Sequence, residues 1–287
     1  MGDRMTSSNN PPSEEINRLA PYGFDVFPIL CETGLRRAEN QDFAIFDHSL
    51  GIYIIADGMG GRNAGAHASK TAASDLLNEI KANIRCLSPN SFQTMIQKIN
   101  MAMYKGSQQE EFKGMGTTLD AILLRNRQLI IGHAGDSRVY FLHGDGTLER
   151  ATEDQTYAYH LFKKGTIPDE EQTYVSDHRT TLLNYIGKDY LSMPVMRMFQ
   201  TEGIQKILMV TDGVTDTVTE SELRDILLHH NGNEALAAIK DRILHPKGMI
   251  ELYARVAPWK PTSDVLNELP GSDNYTALLL ERRNTHV

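Results

Sequence analysis

Residues 51–84 read GIYIIADGMGGRNAGAHASKTAASDLLNEIKANI, and the fold class turns on their change of period. The first seven form a short apolar run of strand length that ends in a carboxylate, Asp57. After Gly65 the spacing lengthens, and Ala68, Ala72, Leu76 and Ile80 fall on one face of a helix that must pack on something apolar. Upstream, FDVFPILC and DFAIFD are runs of similar strand length. Downstream, Pro89 and Asn90 break the first helix, and Phe92, Met95, Ile96, Ile99 and Met103 restart a helical period. Strands followed by a separate pair of helices favour α+β layers over a parallel, doubly wound sheet.

The strand signal returns over 117–146, where three apolar runs separated by Arg125-Asn126 and Gly135-Asp136 suggest an antiparallel meander of hairpins. Residues 150–190 lose periodicity and read as an insertion of loop and short helix that suits a flap over a site. KILMVTDG is a buried strand, Thr219 caps the helical ESELRDILLHH, and NEALAAIKDRIL is a further amphipathic helix. Pro246, Pro261, Pro270 and the lone Trp259 mark 245–271 as an irregular surface insertion, a docking surface or a passive loop, before NYTALLLE closes the sheet. Residues 1–22, rich in Ser, Asn, Pro and charge, are expected to be a disordered lead to one domain spanning 23–287.

A chain of 287 residues with 40% hydrophobic content can bury one sizeable core. It holds no run of about 18 apolar residues, and its N-terminus lacks a basic region followed by an apolar stretch. The expectation is therefore a soluble, cytoplasmic protein, without membrane partner. A net charge of −8 with no basic cluster argues against nucleic acid. Cys31 and Cys86 offer neither a disulfide framework nor a zinc pattern.

Acidic residues recur where strand-like runs meet turns, at Asp42, Asp57, Asp136, Asp212 and Asp273. One Asp-Gly is usually a turn, but five carboxylates at strand ends suit hard divalent ions that take oxygen ligands. Two of the five sit in Asp57-Gly58 and Asp212-Gly213, where the small neighbour admits a close backbone or ion. His67 and His133 read as ordinary packed residues. DGMGGRNAG matches neither GxGxxG nor a P-loop, which excludes a nucleotide loop.

The runs RAENQD (37–42), DGMGG (57–61), GTT (116–118), GDSR (135–138), TDG (211–213) and GSDN (271–274) occur in an order that resembles the metal-dependent type 2C protein phosphatases, particularly their bacterial branch. The resemblance covers roughly 24–283. It implies a sandwich of two antiparallel β-sheets flanked by pairs of α-helices. It further implies hydrolysis of phosphoserine and phosphothreonine in proteins, against an intracellular Ser/Thr kinase, by a monomer carrying two Mn2+ or Mg2+ ions and a weaker third. By that resemblance Asp57 bridges two ions with the Gly58 carbonyl on one, Asp212 and Asp273 bind the same pair, Asp42 supports it through water, and Asp136 shares a third ion with Asp212. Two ions about 4 Å apart lower the pKa of a shared water, and the hydroxide bridging them is the nucleophile. Arg37 resembles the phosphate-binding arginine, whose planar guanidinium can pair two phosphoryl oxygens. Met59 stands where eukaryotic relatives have histidine, leaving no side chain to assign as general acid. Arg62 and Ala66 replace a histidine and a glutamate frequent in bacterial relatives. Two other readings compete: a catalytically silent regulator of the same fold that binds phosphoproteins, and a phosphoesterase for small molecules.

Overall fold

The computed structural model describes residues 22–60, 64–125, 127–189, 194–259, 269 and 271–283. The expected disordered lead lies outside these residues except for Tyr22, which packs against the core. Strand β4 (Ile52–Met59) shows why its sequence is apolar without alternation. Ile52, Ile54 and Ala56 face a helical layer, whereas Tyr53 and Ile55 point into the space between two sheets. Both faces are dry, so neither can carry polar residues.

Each sheet has six strands among the described residues, and every pairing is antiparallel. In one, β1 (Phe24–Val26), β12 (Tyr275–Arg282), β11 (Ile204–Val210), β8 (Arg138–His143) and β9 (Leu148–Arg150) follow in order, with β2 (Leu30–Glu32) beside β12. In the other, the order is β10 (Val195–Gln200), β7 (Gln128–Ala134), β6 (Leu119–Arg125), β4 and β3 (Asp42–Asp47), with β5 (Gly116–Thr117) on the end of β4. Phe24, Phe141, Ile207 and Leu278 of the first sheet meet Tyr53 and Ile122 of the second.

Helices α1 (Ala64–Ala82) and α2 (Pro89–Gly106) cover the outer face of the β4 sheet through the alanines, leucine and isoleucine of α1 named above and Phe92 and Ile96 of α2. Pro89 does more than break the preceding helix. It starts α2 at the first helical position, where its missing N–H is no loss, behind a Ser88 cap reciprocated by Ser91. On the opposite face lie α5 (Glu220–His229), capped by Thr219 with Glu222 in a capping box, and α6 (Gly232–Leu244). The result is a two-sheet α+β sandwich between helix pairs.

Two expectations need correction. Strands β6 and β7 form the expected hairpin, but β8 does not continue it as a meander. At Gly135-Asp136 the chain leaves one sheet for the other, where β8 pairs with β9 and β11. Local periodicity is identical for a hairpin and a crossover, so only packing separates them. Nor is 245–271 irregular throughout: residues 247–256 form helix α7 (Lys247–Val256). Met249, Leu252 and Tyr253 bury one face of it against Leu269, Tyr174 and Val175. Residues 260–268 and 270 of that insertion lie outside the described residues. The 150–190 stretch contains α3 (Tyr157–Lys163) and a 3-10 turn at 170–175.

Candidate metal centre

Asp42 opens β3 and lies directly opposite Asp57 in β4. Facing like charges destabilise an antiparallel pair, so their placement calls for compensation from elsewhere. Asp42 Oδ2 accepts hydrogen bonds from the Thr211 and Thr276 hydroxyls, both at 2.8 Å, while its Oδ1 is buried without a partner. Burial first, and then Asp273, push Asp42 up to about 6 despite the two hydroxyls. Burial, followed by repulsion from Asp212, Asp42 and Asp136, holds Asp57 well above the ordinary carboxylate range.

Asp212 follows β11 and begins α4 (Asp212–Thr215). Its Oδ1 is also buried and unpartnered, and burial with Asp136, Asp216, Asp273 and Asp42 raises it strongly. Asp136, at the crossover between sheets, is pushed up to about 7 by burial, Asp154 and Asp216, against the pull of Arg138. Asp273 precedes β12. Arg37 donates to it through both Nε, 2.7 Å from Oδ1, and Nη2, 2.6 Å from Oδ2. This pair raises Arg37, with further contributions from Asp212 and Asp57.

The structure thus draws together all five aspartates and Arg37 from segments up to 236 residues apart. The two-pronged edge of Arg37 is turned to Asp273 and leaves Nη1 as the uncommitted nitrogen. The reason is geometric: a carboxylate matches that fork as well as a phosphate does.

The motif residues between the aspartates serve as ties. Asn274 accepts from Gln41 N at 2.9 Å and donates to the carbonyls of Thr33 and Glu39 at 2.8 and 3.0 Å, which pins the loop that carries Arg37. Thr118 accepts from Asp57 N at 2.9 Å and meets the Ser137 hydroxyl at 2.8 Å, joining the segments of Asp57 and Asp136. Both Asp-Gly glycines sit under crossing backbone. A Cβ on Gly58 would stand 2.0 Å from the Gly65 carbonyl at the start of α1, and one on Gly213 would stand 2.0 Å from the Asn274 carbonyl.

Several neighbours were not singled out by sequence. Asp216 lies one helical turn after Asp212, is raised by burial, and forms an ion pair with Arg179 of the expected flap. Its i+4 spacing was the signal available. Arg138 grips Asp154 at 2.6 and 2.8 Å and donates to the Tyr174 hydroxyl at 2.9 Å. The histidines stand apart. His67 stacks on Phe112 at 4.6 Å, and His133 is buried between Asp120, at 2.7 Å, and the Glu153 carbonyl. Both cysteines are free.

The residues present fit hard divalent cations. The donors are oxygens, two buried carboxylate oxygens lack partners, and the mutual repulsion is of the kind that cations remove. Among the described residues no three acidic, histidine or cysteine side chains are grouped closely enough to hold a metal ion as they stand.

Residues 36–238 match the family model described as protein phosphatase 2C. A Streptococcus pyogenes protein named as of the protein phosphatase 2C type is 36% identical over 206 residues, covering 69% of this chain and 82% of the relative. Serine/threonine phosphatase stp of Listeria welshimeri is 31% identical over 265 residues, 88% of this chain and 93% of its own. The crystal structure of the catalytic domain of the serine threonine protein phosphatase PstP, in complex with two manganese ions, superposes with a TM-score of 0.65 at 23% identity. The match covers 90% of this chain and 97% of that catalytic-domain chain, and at that identity it speaks for the fold. The chain belongs to the protein phosphatase 2C family.

Proposed function

We propose that this protein is an enzyme that hydrolyses phosphoserine and phosphothreonine in proteins, with Mn2+ or Mg2+ held by its aspartates. The observation that carries the reading is the convergence of five aspartates from separated segments, of which Asp42, Asp57, Asp136 and Asp212 are destabilised by burial and by neighbouring carboxylates and are therefore poised for cations. The names of the relatives and the manganese pair in PstP support it. Asp57, the Gly58 carbonyl, Asp212 and Asp273 are assigned to a core pair of ions, Asp42 to its support, and Asp136 with Asp212 to a weaker third. Such ions, when bound, supply an activated water and charge neutralisation at the phosphoryl group.

The chain's own residues do the rest. Thr211 and Thr276 orient Asp42 through its Oδ2, leaving Oδ1 free toward the cluster. Arg37, half-exposed and anchored by Asp273, presents Nη1 to a phosphoryl oxygen and neutralises its charge. The 154–187 flap, tied to Asp216 through Arg179, borders the site within one domain spanning 23–287. The phosphoproteins acted on are taken to be those of a cognate Ser/Thr kinase, and the protein to work as a cytoplasmic monomer. Among the described residues no helix is long and apolar enough to cross a membrane.

The test is phosphate release from a phosphothreonine peptide with Mn2+, with chelator and with Asp212→Asn. Turnover that requires metal and vanishes in the variant is expected. No turnover by folded, metal-loaded protein would replace this reading with the silent, phosphoprotein-binding one.

A further inference from the structure

Tyr174, Arg179 and Asp216 line two spaces at once. One reaches Asp136 and Asp212, and the other is a cleft of about 240 Å³ that also takes in Asp177, Tyr253 and Trp259. Ser272, next to Asp273, lines this second cleft too. The cleft therefore lies beside the carboxylate centre, sharing Tyr174, Arg179 and Asp216 with it, and one of its sides belongs to the 245–271 insertion. A larger cleft of about 660 Å³ lies between α5, α7 and the 170–175 turn, but none of the five aspartates lines it.

The chemistry of the smaller cleft is selective. Arg179 is committed to Asp216, so its charge is spent. Asp177 is exposed, and among the described residues its carboxylate has no ion pair or hydrogen bond. Trp259 is 75% exposed. One bare aromatic needs no explanation by itself, but this one stands in the same cleft as a free carboxylate and two tyrosines. A ring face and a carboxylate together select a cation, through the ring quadrupole and a charge-assisted hydrogen bond. An anion would meet Asp177 and the net charge of −8, and an apolar side chain would cover the rings while desolvating the carboxylate.

Resting on the phosphatase reading above, we infer that this cleft receives a lysine or arginine side chain of the substrate polypeptide, a few residues from the phosphorylated position. The enzyme then prefers phosphosites with basic neighbours, and the flap, through Asp177, and the insertion, through Trp259, together supply the preference.

Trp259 is the only tryptophan in the chain and reports on its own cleft. The experiment titrates the full-length protein in Mg2+ with two peptides that carry a non-hydrolysable phosphonate in place of the phosphate. One has arginines two and three residues to either side, and its twin has glutamines; calorimetry gives the affinities independently. The expected result is a saturable change in Trp259 emission, with the arginine peptide bound about fivefold or more tightly than its twin. Asp177→Asn and Trp259→Leu should each shrink that ratio toward one. Equal affinities, an emission unchanged at saturation, or a ratio untouched by both variants would overturn the inference. Turnover of p-nitrophenyl phosphate, measured in parallel, reads the chemistry without the cleft. If it persists while the peptides bind equally, the cleft inference alone fails. If it is absent from the metal-loaded protein, the phosphatase reading fails, whatever the peptides do.

Discussion

Asp42 is the clearest case of a residue whose setting is unfavourable for itself. It faces Asp57, is buried, and keeps one oxygen without a partner, yet two threonine hydroxyls from β11's end and β12 are spent on holding the other. That expenditure makes sense if orientation of the carboxylate matters more than its solvation. Thr276→Val keeps the shape and removes the donor, and about a tenfold loss of Mn2+ affinity is expected in calorimetry, with the fold retained by circular dichroism. An unchanged affinity would mean that Asp42 is held by the sheet alone. Arg37→Lys keeps the charge but loses the fork. It should release Asp273 and weaken phosphate handling, lowering kcat/KM for phosphothreonine peptide by about tenfold or more. Equal kcat/KM would show that point charge suffices.

At the scale of elements, the site depends on two places where backbone crosses backbone. The end of β4 passes under the start of α1 at Gly58, and α4 passes under the residue before β12 at Gly213. Gly213→Ala puts a methyl group 2.0 Å from the Asn274 carbonyl, which is fixed on both sides and cannot yield cheaply. The expected consequence is displacement of the Asp273-Asn274 segment, with lower melting temperature and loss of the metal-induced thermal shift together. A variant with the wild-type shift would show that the segment relaxes. The α5 cap offers a contrast, because Thr219 lies outside the carboxylate cluster. Thr219→Ala removes a capping box worth about 1 kcal/mol, and a fall of about 2 °C in melting temperature is expected with phosphatase activity intact at 25 °C. Loss of activity without loss of stability would connect the cap to the site instead.

At the scale of the molecule, the gathered carboxylates set how stability follows pH. Asp42, at about 6, and Asp136, at about 7, lie above the ordinary carboxylate value of about 3.9. Between pH 4 and 7 the folded chain therefore holds protons at these sites that the unfolded chain has released. Their contribution to unfolding free energy is full below that window and falls as pH rises through it. With chelator present, Asp136→Asn should melt above wild type by a clear margin at pH 7.5 and by a smaller one at pH 5. Saturating Mn2+ should raise the wild-type melting temperature more at pH 7.5 than at pH 5, since binding requires ionised carboxylates. A variant less stable than wild type at pH 7.5 without metal would contradict the mutual repulsion.

Much of this molecule is determined locally and was open to reading along the chain. The run Ile52–Ala56 has to be a strand dry on both faces, and Ala68, Ala72, Leu76 and Ile80 have to be one face of a packed helix, because burial imposes those periods. The five aspartates mark themselves by falling where apolar runs end. What the chain could not disclose is whatever depends on which ends meet. Whether β8 stays with β7 or crosses to β11 leaves the same local pattern, and the prolines around 245–271 hide α7 because its buried face answers to Tyr174 and Val175, far away in sequence. Asp216 gave a signal, one turn from Asp212, but its partner Arg179 comes from another segment. The grip of Arg37 on Asp273 spans 236 residues, and no spacing rule reaches that far. Periodicity and turn chemistry act over a few residues, so the sequence alone decided the elements and the kind of donor atom. Charge and close packing act across space, so only the tertiary structure decided which carboxylates repel one another, which arginine is spoken for, and that a cleft with a bare tryptophan opens beside them.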